Sequence, residues 1–193
     1  MPVLLSAGMP DPKQDSAYFR PARAARVREA VIQLARAVLP TTELVFGGHP
    51  AVAPLVLAVA RQMGAIHRVI IFQSEFFRST VPPESLVFSR LTWTSSIRGD
   101  RSRSLEAMRS AMVRSMDFEA AFFIGGMQGG EDELRILRRE RPQVPVYPVA
   151  STGGAAEVIF SRGEGPHDAV LRHLLERDLV YGHLFQKLLG LAP

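Results

Sequence analysis

Along the chain, short runs of consecutive apolar residues alternate with longer stretches in which apolar residues recur every three or four positions. The first kind reads as strands buried on both faces, the second as amphipathic helices packed over them. Val3-Leu4-Leu5 opens the series, and Val27, Val31, Leu34 and Val38 predict a helix from about Pro21 to Leu39. A strand at 43–46, an apolar helix at 51–63 and a strand from Arg68 to Phe72 follow. The region from Gln73 to Ser102 is looser, with Pro82-Pro83 and a strand around Leu91-Thr92-Trp93-Thr94. Leu105, Met108, Met112 and Met116 then predict a helix that feeds a strand at Ala120–Ile124. A further helix, a strand at 144–149, a helix from about Gly154 and a C-terminal helical stretch from Asp168 to Leu189 complete the pattern.

Strands alternating with helices imply βαβ units, so the expected fold class is α/β, a mostly parallel sheet with helices on both faces. Ser161 to Pro166 is the best linker candidate, which divides the chain into a domain over 1–160 and a C-terminal helical extension of that domain over 167–193. With 193 residues the chain is long enough to bury one sizeable core.

Four of the strands end in small residues. Val3-Leu4-Leu5 leads to Ser6-Ala7-Gly8-Met9-Pro10, and Leu44-Val45-Phe46 leads to Gly47-Gly48-His49-Pro50. Phe122-Phe123-Ile124 runs into Gly125-Gly126-Met127-Gln128-Gly129-Gly130 and then into the acidic helix start Glu131-Asp132-Glu133. The strand at 144–149 leads to Ser151-Thr152-Gly153-Gly154. In an open parallel sheet the carboxyl ends of the strands share one edge, and ligands bind there. Glycines let a ligand approach the main chain, and the unpaired amides of a following helix favour an anionic or strongly polar group. The expected pocket is therefore lined by Gly8 and Met9, Gly47 to His49, Gly125 to Gly130 and Ser151 to Gly154. The glycine loop at 125 has no Lys-Ser or Lys-Thr after it and lacks the G-x-G-x-x-G order, so it is neither a Walker A loop nor a dinucleotide fingerprint.

Composition narrows the classes. The chain is 47% hydrophobic with no cysteine, which excludes disulfides and thiolate metal sites and fits a cytoplasmic protein. No apolar run approaches the roughly 20 residues of a membrane span, and no basic stretch of a signal peptide precedes the first strand. The net charge of +4 is modest and spread along the chain, so nucleic-acid binding is not demanded. Arginines cluster at Arg98 to Arg103 and on the helix carrying Arg135, Arg138, Arg139 and Arg141, where they suit the negative end of the helix dipole. The five histidines lack partners at ligand spacing, so no metal is expected.

Individual residues admit two readings each. Arg109 is a surface arginine or a bidentate phosphate ligand placed just before the glycine loop. Glu133 reads as a first-turn carboxylate that stabilises its helix. His49 contacts a phosphate or base, or caps its turn, with contact favoured and Pro50 suited to the first helical position. Ser151 and Thr152 cap the following helix or reach a ribose, and Trp93 reads as core.

The order and spacing of Ser6-Ala7-Gly8, Leu44 to His49 and Gly125 to Glu133 resemble the SLOG superfamily, Rossmann-like nucleotide-binding domains related to the Lonely Guy phosphoribohydrolases and to DprA. The resemblance covers about residues 1–160. In those hydrolases a catalytic arginine stands sixteen residues ahead of the third motif's first glycine, the spacing of Arg109 from Gly125 here, and Glu133 is similar to the motif's terminal glutamate. The resemblance implies either a sensor of ADP-ribose, cyclic ADP-ribose or an NAD-related ligand, working in prokaryotic defence or signalling, or a nucleoside 5′-monophosphate phosphoribohydrolase acting through Arg109 and Glu133. Single-stranded DNA binding of the DprA kind is the third reading. No cofactor is implied, and a separate effector protein is a candidate partner. Leu171, Leu174, Leu175, Leu179, Val180, Leu184, Leu188 and Leu189 give more apolar surface than a terminal appendage leaves in water, so a homodimer is expected in which the C-terminal stretch covers the neighbouring subunit or its own sheet edge. Ile124 stands where the hydrolases have proline, one residue is inserted between the glycine pairs, Gly130 replaces a threonine and His49 replaces a third glycine. These departures favour sensing over hydrolysis.

Overall fold

The computed structural model of the chain describes residues 1–9, 11, 18 and 23–191. Pro10, Pro21 and the last two residues, named in the expected loop, helix and extension, lie outside the described residues. The strands are β1 (Val3–Gly8), β2 (Leu44–Phe46), β3 (Val69–Ser74), β4 (Arg90–Thr94), β5 (Ala120–Gly125) and β6 (Val146–Val149). The helices are α1 (Ala24–Val38), α2 (Ala53–Gln62), α3 (Pro83–Leu86), α4 (Arg101–Arg114), α5 (Gln128–Glu140), α6 (Gly154–Ser161), α7 (Ala169–Arg177) and α8 (Tyr181–Leu188). The six strands form one sheet in the order β4-β3-β2-β1-β5-β6, and every pair is parallel.

Why these segments form these elements follows from burial. All six residues of β3 and of β5 are buried, as uninterrupted apolar runs require when helices cover both faces. Alternate residues serve opposite faces: Leu5, Phe46, Ile71 and Phe122 meet α1, α2 and the C-terminal helices, while Leu4, Val45, Ile70 and Phe123 meet α4, α5 and α6. α1 buries Val27, Ala30, Val31, Leu34, Ala35 and Val38, one stripe at helical spacing. β4 is the exposed edge, and its Arg90-Leu91-Thr92-Trp93-Thr94 is the least buried strand. Trp93 is only half-buried, with the Arg78 guanidinium 4.6 Å over its ring, and so belongs to the rim rather than the core.

The C-terminal pair packs onto its own chain. Phe185 meets Phe122 edge-on at 5.3 Å, Tyr181 stacks on Phe185, and Leu175 and Leu184 are fully buried. Each such side chain contributes about 1.5–3 kcal/mol of hydrophobic burial. The pair is separated by an extended Asp178, whose carboxylate accepts the Val180 amide at 2.8 Å. No helix among the described residues is long and apolar enough to cross a membrane.

The chain lays down β1 to β4 outward in one direction, then crosses back to add β5 on the other side of β1. The crevice between diverging connections opens at that reversal, above the ends of β1 and β5, where Gly8 pairs in register with Gly125.

Candidate functional site

Above the carboxyl edge lies a cleft of about 1010 Å³, floored by the ends of β1 and β2 and walled by α4, the start of α5 and the segment after β3. Gly8, Met9, Gly47, Gly48, His49, Gly126, Met127, Gly129, Gly130, Arg109 and Glu133 all line it. Gly125 and the 151–154 segment do not; they stand behind it. Gly125 adopts φ +60, and a Cβ there would lie 2.6 Å from Val27 and 2.8 Å from the Gly8 carbonyl. Its amide donates to Thr152 Oγ1 at 2.9 Å, and Thr152 in turn donates to the Val149 carbonyl at 2.6 Å. Ser151 faces the Tyr181 hydroxyl at 3.3 Å. Neither hydroxyl caps α6, because both are consumed inside the protein.

The glycine loop is held open by its neighbours. The Gly126 amide donates to the Gly8 carbonyl at 2.7 Å, and the Gly126 carbonyl accepts from the Ala155 amide at 3.0 Å. No side chain caps α5; its Gly130 amide bonds back to the Met127 carbonyl at 2.8 Å, which leaves the amides of Gln128 and Gly129 ahead of the first helical bond. Gly48, at φ +60, could carry no side chain, since a Cβ would fall 2.4 Å from Gln73 Nε2, which donates to the Gly48 carbonyl at 2.8 Å.

Arg109 reaches under this loop. Its side chain is 13% exposed, with Nη1 donating to Asp132 at 3.1 Å and Nε 3.6 Å from Glu133. Nε is buried without a hydrogen-bond partner, and Nη2 lies beside Gly129, where a Cβ would approach to 2.7 Å. Burial pushes the Glu133 carboxyl above the ordinary glutamate range, against the opposing pull of Arg109 and of a hydrogen bond from Ser6. Asp132 is shared further, accepting from Gln128 at 3.3 Å and Arg135 at 3.2 Å. Glu131 faces the other way, toward Tyr18 and Arg162.

His49 has both expected roles in reach. Its Nδ1 accepts the Ala51 amide at 3.1 Å, which caps the turn and leaves the proton on Nε2. Nε2 and Cδ2 pack against Gly8, each 3.3 Å from where a Cβ would stand, and burial lowers the imidazole pKa. The helix begins at Ala53, so Pro54 occupies its first turn and Pro50 lies in the turn before it.

The lining combines Arg101, Arg109 and Arg135 with Asp11, Glu106, Asp132 and Glu133. Four carboxylates face three guanidiniums, a balance that opposes a long polyanion. The arginines at the far end of α5 are spent on ion pairs: Arg138 with Glu164 at 2.5 Å, and Arg141 with Asp117 at 2.8 Å. Among the described residues no group of three or more His, Asp or Glu is placed to hold a metal.

Sequence reasoning passed over Gln73, Phe77, Thr80, Val81, Pro82 and Arg101, which build the wall beyond β3 and β4. Their segment has neither period nor glycine pair, and the one available signal was that β3 should also end at this edge.

The fold recurs in the crystal structure of TM1055, a structural-genomics target, with a TM-score of 0.58 and 18% identity over 82% of this chain and 79% of that one. Comparison with curated proteins returns no match. The SLOG cluster3 family model matches residues 17–189, and the chain belongs to that family.

Proposed function

We propose that the cleft binds a nucleotide-derived small molecule of the ADP-ribose or NAD-related kind and reports its presence, as part of a signalling or defence system. The observation that carries this reading is the Arg109 guanidinium held 3.1 Å from Asp132 beneath an uncapped glycine loop and helix start. The Gln128 and Gly129 amides at the helix start and the edge of Arg109 beside Gly129 offer donors to a phosphate. The neighbouring carboxylates offer acceptors to ribose hydroxyls. The near balance of charge in the cleft disfavours the single-stranded DNA reading.

Glycosidic hydrolysis is the second reading, and one observation favours it. Glu133 is a buried carboxyl with a raised pKa, touching Arg109 and Ser6 inside the cleft, a combination suited to proton transfer.

A homodimer and a separate effector belong to the same proposal. Packing within the chain consumes most of the C-terminal leucines, so a dimer contact would use the exposed Val170, Leu179 and Val180. Light scattering showing a monomer at micromolar concentration would remove the dimer and leave the site untouched.

Mass spectrometry of small molecules released from the purified, denatured protein tests the binding reading directly, with a nucleotide-derived species expected. Arg109→Ala should then weaken a phosphate-bearing ligand by about 1.5–3 kcal/mol, the range for hydrogen bonds to charged groups. Glu133→Gln should change affinity little. Incubation with nucleoside monophosphates should release no base, and release that Glu133→Gln abolishes would put the hydrolase in the sensor's place.

A further inference from the structure

The wall beyond β3 and β4 is not explained by a phosphate and a ribose. Phe77 and Arg101 both line the cleft there, with the Arg101 guanidinium 5.8 Å over the Phe77 ring. Phe76 meets Phe77 edge-on at 5.0 Å, a contact that supports the ring. Phe77 is half-buried and Arg101 exposed, so neither is needed to fill the core.

Arg101 is also placed with unusual care for a surface residue. Arg98 takes φ +47, the single left-handed non-glycine among the described residues, and Gly99 follows at φ +72. The turn brings Asp100 to the start of α4, where it accepts the Arg103 amide at 3.0 Å. Ser104, fully buried, accepts the Ile97 amide at 2.9 Å and donates to the Asp100 carbonyl at 2.6 Å. Strain of this kind persists only where surrounding bonds over-determine it.

Helix α4 then runs along the cleft, presenting Arg101, Leu105, Met108 and Arg109 on one face. Its rise of about 1.5 Å per residue sets the two arginines about 12 Å apart along the axis. The strand order gives an independent figure: from β5 to β3 is three steps of roughly 4.8 Å, about 14 Å in all. The two agree on a cleft long enough for a base, a sugar and a phosphate laid end to end.

Resting on the nucleotide reading above, we propose that Phe77 and Arg101 are the specificity clamp for the ligand's heteroaromatic base, sandwiching its flat ring while Arg109 and the glycine loop hold the phosphate end. The aromatic face and the guanidinium plane both stack on any base, and the ring must part from the guanidinium by a small side-chain adjustment to admit one. The clamp selects for a base and tolerates several.

Titration calorimetry of the full chain with ADP-ribose, adenosine monophosphate and ribose 5-phosphate tests this. The wild type should prefer both adenine-bearing probes over ribose 5-phosphate by about tenfold or more. Phe77→Ala and Arg101→Ala should each erase most of that preference and leave ribose 5-phosphate binding unchanged, while Phe77→Trp should keep it. Arg101→Ala sits at an exposed helix start, so its result stands even if Phe77→Ala fails to fold. Equal binding of the three probes by the wild type, or a preference that survives both alanine variants, would overturn the clamp and leave the phosphate end standing. Binding of none of the three would overturn the nucleotide reading and the clamp together.

Discussion

The loop after β5 and the loop after β6 share a vocabulary of paired glycines and small residues, but the first presents its surface to the cleft and the second is consumed by packing. Gly126, Gly129 and Gly130 line open space, with Arg109 and Ser6 as near neighbours. Gly154 instead has no room at all: a Cβ would fall 2.7 Å from the Gly126 carbonyl and 3.0 Å from the Gly125 carbonyl carbon. Thr152 satisfies the Gly125 amide that no ligand can reach. One loop faces the cleft because the other holds it in shape. A glycine therefore has two separate meanings at a sheet edge, access for a guest or access for a neighbouring backbone, and stability and affinity measurements tell them apart.

The largest effect should come from Gly154→Ala. At φ +64 against backbone on two sides, the methyl has nowhere to go, and a loss of about 3 kcal/mol or more in urea unfolding is expected. Near wild-type stability would show that the loop after β6 is no buttress. Thr152→Val comes next, since it strands a buried amide; a loss of about 2 kcal/mol is expected, with Thr152→Ser close to wild type. Gly129→Ala should invert the pattern. Its methyl meets the far end of the Arg109 side chain rather than backbone, so the melting temperature should barely move while affinity for ADP-ribose falls about tenfold, roughly 1.4 kcal/mol. A large stability loss there, with affinity intact, would collapse the distinction between the loops.

The smallest effect is electrostatic. Burial holds the Glu133 carboxyl above its ordinary range, so the native state favours its protonated form more than the unfolded chain does. Its contribution to stability is complete below the ordinary glutamate pKa and is lost as pH rises through the raised value. Glu133→Gln should flatten that decline, seen as a smaller change in melting temperature between about pH 4 and pH 8. A steeper decline in the variant would mean that Arg109 stabilises the charged form more than burial opposes it.

The fold was legible because its strands are uninterrupted apolar runs and its helices keep a clean period; even the exposed β4 showed itself through Leu91 and Trp93. Helix starts were less legible: α2 begins at Ala53 because His49 caps a turn that delays it. The floor of the cleft, with Arg109 and Glu133, followed from strand ends and motif spacing. The loop at 151–154 was read by the same rule, yet what fills it is Tyr181, thirty residues further on, which no local pattern announces. Phe77 was passed over, and Arg101 was noticed only as part of an arginine cluster, for a related reason. They flank different strands of a segment without period, and only the pairing of β3 with β4 brings them together.

The central position of β1 has a consequence for the order of events during synthesis. Val3 pairs with Leu44 on one side, a partner made early, and with Ala120 on the other, a partner that follows more than a hundred residues later. Until β5 emerges, the first strand presents an open hydrogen-bonding edge and a bare apolar face, the hazard of non-local parallel pairing. The same docking event closes that edge, brings Gly125 beside Gly8 and delivers the start of α5. In a nascent chain, assembly of the cleft and protection from aggregation therefore arrive together.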